Sequence, residues 1–94
     1  MDTDAASVWR ECFQHWPGEL DRRGVLVTTF NEQIPFENFL VSDSMLLLER
    51  RAPDTVGARM VIVAYQAIQG LKIVDVVKLR SFQSMGFSPP PAKK

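Results

Sequence analysis

The stretch 59–77, RMVIVAYQAIQGLKIVDVV, limits what this chain can fold into more than any other. Two apolar runs, Met60–Ala64 and 71–77, meet at a short corner over 65–70. Both are rich in Val and Ile, whose branched side chains fit a pleated strand better than a helix. In the first run Met60, Ile62 and Ala64 point one way and Val61, Val63 and Tyr65 the other. Both faces are therefore apolar, the pattern of a strand covered on two sides. In the second run Leu71, Ile73 and Val77 share a face with Asp75, while Val74 and Val76 share the opposite one with Lys72. Strands of this kind in so short a chain call for cover from another chain. Met60, Ile62, Val63, Tyr65, Leu71, Ile73 and Val74 are accordingly the candidate residues of an oligomer interface.

Ninety-four residues make one domain with a modest core. Eleven basic residues cancel eleven acidic ones, so no global positive field announces a nucleic-acid partner. A single cysteine, Cys12, excludes an intrachain disulfide and points to a reducing compartment. No apolar run approaches the ~20 residues of a membrane span, and the acidic start MDTD does not resemble a signal peptide. A cytoplasmic chain with no membrane contact is the expectation.

Asp2, Thr3 and Asp4 are N-cap candidates for a first helix. Val8, Trp9, Cys12, Phe13 and Trp16 fall on one amphipathic stripe that Pro17-Gly18 ends, which predicts a helix over about 4–16. Gly24 opens an alternating strand, VLVTTF, and Asn31-Glu32 is turn chemistry. The run 34–41 is apolar but irregular, as a bent or bulged strand would be, with Pro35 suited to a strand start or edge. After the turn Ser42-Asp43-Ser44 comes MLLLERR, a short strand joined to Met60–Ala64 as an antiparallel hairpin through the Pro53–Gly57 loop. These elements predict a mainly β domain: an N-terminal α-helix lying as a lid on a five-stranded, strongly bent antiparallel barrel of SH3-like type over about 24–77. The predicted single domain spans 1–87. Its C-terminal arm, 78–87, carries Leu79, Phe82 and Met85 at steps of three, so something packs there; 88–94 reads as a disordered Pro/Lys tail.

The order of one helix and five strands, with the second bent and a tight corner before the last, resembles the Sm-like (Hfq-like) small β-barrel family. The landmarks are Asp43 in the turn after the bent strand, Met45-Leu46-Leu47-Leu48 behind it, Val61-Ile62-Val63, and Ala67-Ile68 ahead of an apolar strand. The glycine of the family's bent strand is absent, with Glu37 or Asn38 near its place, and Ser42 stands where an aromatic precedes the turn aspartate. Tyr65-Gln66 replaces the Lys-His pair that grips RNA in Hfq-like relatives. The resemblance implies a homo-oligomeric ring joined through the fourth and fifth strands, with single-stranded RNA as a candidate partner.

No catalytic constellation is visible. His15 is the only histidine, and Gly57, Gly70 and Gly86 stand alone rather than in a phosphate loop. Cys12 sits on an apolar stripe as a small core residue would, and Asp43 and Asp54 suit turns. A non-enzyme without cofactor or metal is expected. Arg50, Arg51 and Arg59 flank one hairpin, where guanidinium forks could meet phosphates. Tyr65 and Gln66 could stack on and hydrogen-bond a base. The plainer alternatives are a solvated hairpin end with arginines paired to carboxylates, interfacial packing of Tyr65, and an oligomeric scaffold that binds no nucleic acid.

Overall fold

A computed structural model describes residues 4–91. Helix α1 covers Ala5–Gln14, and the Asp4 carboxylate caps it by accepting a 2.7 Å hydrogen bond from the Ser7 N–H. The other proposed caps, Asp2 and Thr3, lie outside the described residues, as do Lys93 and Lys94 of the tail. Six strands follow: β1 (Gly24–Thr28), β2 (Gln33–Phe36), β3 (Asn38–Val41), β4 (Met45–Glu49), β5 (Met60–Ala64) and β6 (Ile68–Lys72). One 3-10 turn, Tyr65–Ala67, links β5 to β6, and a longer one, Leu79–Met85, forms much of the C-terminal arm.

The expected five-stranded barrel does not form. The strands make two separate three-stranded antiparallel sheets, ordered β2-β1-β6 and β3-β4-β5, with no closed barrel among the described residues. The run 34–41 is the main reason. It breaks at Glu37, whose N–H bonds to the Glu49 carbonyl, so that β2 pairs with β1 while β3 pairs with β4 in the other sheet. The last strand also differs from the 71–77 expected. It begins at Ile68, opposite Thr28, and stops at Lys72 opposite Val25. Beyond it the chain is held by a side chain instead of a ladder, the Arg23 guanidinium donating from Nε to Asp75 at 2.7 Å.

The core lies between the sheets. Leu26, Ile34, Phe36 and Ile68 come from the first sheet, and Phe39, Leu46, Leu48 and Val63 from the second. The helix packs against the Tyr65–Ala67 turn, β3 and β6, inserting Phe13 edge-on to Phe39 at 5.0 Å between ring centroids. Trp16 also meets Phe39 at 5.0 Å, and its indole N–H reaches the Leu20 carbonyl at 3.1 Å. Of the predicted stripe only Phe13 is fully buried; Trp9 and Trp16 are half-buried against the core.

Candidate functional site

The two sheets differ on the faces they turn away from the core. On the first, register sets Pro35, Val25 and Lys72 in one row and Gln33, Val27 and Gly70 in the next. Lys72 donates across that face to the Gln33 side-chain oxygen at 3.2 Å, so water suits it well. The outer face of the second sheet is apolar. Its central row is Leu40, Leu47 and Ile62, flanked by Met60 on one side and Met45 with Ala64 on the other. Leu40 and Ile62 are each 64% exposed and Met60 56%. Alternation explains the arrangement: Leu46, Leu48 and Val63 are used up by the core, leaving their neighbours facing out. Within β3, β4 and β5 the only charged residue is Glu49, in the outer row with Asn38 and Met60.

Strand β5 lies at one end of the second sheet and β6 at one end of the first, so each has an edge with no partner among the described residues. Of the candidate interface residues, Met60 and Ile62 are on the exposed outer face. Val63 and Tyr65 are core residues and present nothing to a neighbour. Leu71 sits half-buried on β6 opposite Leu26, and Ile73 is half-buried and Val74 exposed just past that strand.

The candidate RNA residues fall into two groups. Arg50 and Arg59 are neighbours across the hairpin, the Arg50 N–H bonding to the Arg59 carbonyl at 2.8 Å, and Arg51 is exposed beside them. Among the described residues none of the three is in an ion pair. Tyr65 and Gln66 lie beyond the other end of β5, roughly 20 Å away along an extended strand. Gln66 is exposed, whereas Tyr65 is 1% exposed, with its hydroxyl donating to the Ser42 carbonyl at 2.9 Å. Burial pushes the Tyr65 phenol above its ordinary value, and the ring offers no face for a base to stack on.

The Asp54 and Cys12 side chains are tied into the fold. The Asp54 carboxylate accepts from the Val56 and Ala58 N–H groups at 2.9 and 2.8 Å and closes the loop; those backbone bonds, the Ala58 one foremost, hold it below the ordinary carboxylate range. Burial pushes the Cys12 thiol up, away from the reactive thiolate. His15 is exposed. Among the described residues no group of three or more His, Cys, Asp or Glu gathers as a metal site would require, and no helix is long and apolar enough to cross a membrane.

A second apolar surface was signalled only by the steps of three in the arm. Leu79, Phe82 and Met85 face Trp9, Leu71 and Ile73 across a groove of about 720 Å³. Ser88, Pro89 and Pro90 of the proposed tail also line it. Leu40, Met45 and Leu47 were likewise missed, although alternation about the buried Phe39, Leu46 and Leu48 marks them. No family model matches the sequence, and no curated protein or solved structure matches it either.

Proposed function

We propose that this chain is a non-catalytic, self-associating module whose copies assemble head to tail into a ring, as the Sm-like resemblance implies. One observation carries this: the outer face of the second sheet exposes Leu40, Met45, Met60 and Ile62 together, next to the unpaired edge of β5. Contiguous exposed apolar surface of this kind marks an interaction site, and an open edge is a template for another strand. In the assembly the edge of β5 in one copy pairs with the edge of β6 in the next. A cytoplasmic setting belongs to this proposal, since the lone Cys12 is kept as a thiol there. Native mass measured by light scattering after size exclusion tests it: association at micromolar concentration supports it and a monomer refutes it.

A second function on the same assembly is non-specific binding of single-stranded RNA. The observation in its favour is the Arg50–Arg51–Arg59 cluster, free of ion pairs among the described residues, which a ring would repeat in every subunit. Gln66 remains exposed, but Tyr65 is no longer a base platform. An ultraviolet absorbance ratio measured after a high-salt wash separates an RNA-carrying ring from a purely protein scaffold.

A further inference from the structure

The groove between α1 and the C-terminal arm is lined mostly by apolar side chains, as is the outer face of the second sheet, and the two surfaces are complementary in charge. Among the described residues Arg80 is the only charged one lining the groove. Glu49 is the only charged residue in the second sheet. Neither is in an ion pair among the described residues. Their positions also fit one docking event. Leu71 of β6 lines the groove, so a chain seated there touches the edge strand β6. Met60 and Ile62 belong to β5, so a neighbour presenting them presents the open β5 edge as well.

We propose that the groove is the receptor for a second copy of this chain, Met60 and Ile62 of the neighbour filling its apolar part and the neighbour's Glu49 meeting Arg80. The proposal rests on self-association as argued above and assigns which surface meets which. Because the two patches differ, the contact is heterologous and repeats from copy to copy, closing a ring when the rotation permits. An apolar small molecule would need no acidic counterpart; the paired lone charges favour the second copy. Burial at such a contact makes the Glu49–Arg80 pair a determinant of register and partner choice more than of raw affinity.

Charge reversal tests this on the full chain. Arg80→Glu and Glu49→Arg alone should each raise the concentration at half-dissociation by about tenfold or more, since like charges then face each other. The double variant should return to near the wild-type value. Single variants that associate normally, or a double variant no better than the singles, overturn the proposal. Cross-linking gives a second reading that survives a variant failing to fold. Leu79 lines the groove and is 90% exposed, so Ile62→Cys combined with Leu79→Cys and treated with a short bismaleimide should give a ladder of linked chains, while Val56→Cys combined with Leu79→Cys should not. An associated Ile62→Cys, Leu79→Cys chain with no ladder overturns the proposed docking and leaves self-association intact; a wild-type monomer overturns both.

Discussion

The hydroxyl of Tyr65 donates a 2.9 Å hydrogen bond to the carbonyl oxygen of Ser42, tying the corner after β5 to the turn before β4. The bond spans 23 positions of sequence and closes the end of the β4–β5 hairpin. It turns a residue that the Sm-like resemblance would set against RNA into part of the core.

Tyr65→Phe should therefore cost about 0.5–1.5 kcal/mol, the net worth of one such bond, with the ring still packed. Denaturant midpoints measure it. Burial raises the Tyr65 pKa in the folded state, so the folded chain holds this proton to higher pH than the unfolded one. Its stabilisation is complete below the ordinary tyrosine value of about 10 and is lost as pH rises past it through the folded value. The alkaline limb of stability should be shallower in Tyr65→Phe; an unchanged limb would mean the phenol is not held as described.

Gly24 has no room for a side chain. A Cβ there would lie 2.6 Å from the Lys72 carbonyl oxygen, a backbone atom of the paired strand that cannot swing away. Gly24→Ala should destabilise by about 1–3 kcal/mol, as overpacking does. Amide exchange should show the loss concentrated in β6 and the arm, with the β4–β5 hairpin little changed.

Phe13 and Trp9 share a helix and should respond differently. Phe13 is 2% exposed and meets Phe39 and Trp16, so Phe13→Ala should cost about 3–5 kcal/mol. Trp9 is half-buried and borders the groove, so Trp9→Ala should cost less in folding and more in association. Thermal melts and native mass, measured on both variants, separate the two effects.

Much of this was legible. The spacing of Trp9, Phe13 and Trp16 marks α1, and alternation through 60–64 correctly divides Met60 and Ile62 from Val61 and Val63. The break at Glu37 was not legible, because an irregular apolar run looks alike whether it bends within one sheet or passes between two. The limits of β6 were hidden by the Val-rich 73–77. Strand propensity there is high, but the partner strand β1 begins at Gly24, so beyond Lys72 the chain has no ladder to join and Asp75 meets the Arg23 guanidinium instead. Tyr65 misled because a tyrosine at a corner suits a binding surface as well as a core, and the Ser42 carbonyl that decides the matter is distant in sequence.

If RNA binds, Arg50→Ala with Arg51→Ala should weaken every single-stranded sequence about equally and flatten the dependence on salt, as loss of phosphate contacts does. Filter binding with A-rich and U-rich oligomers at two salt concentrations reads both. An intact assembly that binds neither oligomer at low salt is a protein scaffold alone.

The most direct test of self-association is the native mass of the full chain by light scattering coupled to size exclusion at micromolar concentration. The exposed Leu40, Met60 and Ile62 beside an open β5 edge predict a discrete species at a multiple of the 10.7 kDa chain mass. A single monodisperse peak at 10.7 kDa would contradict it.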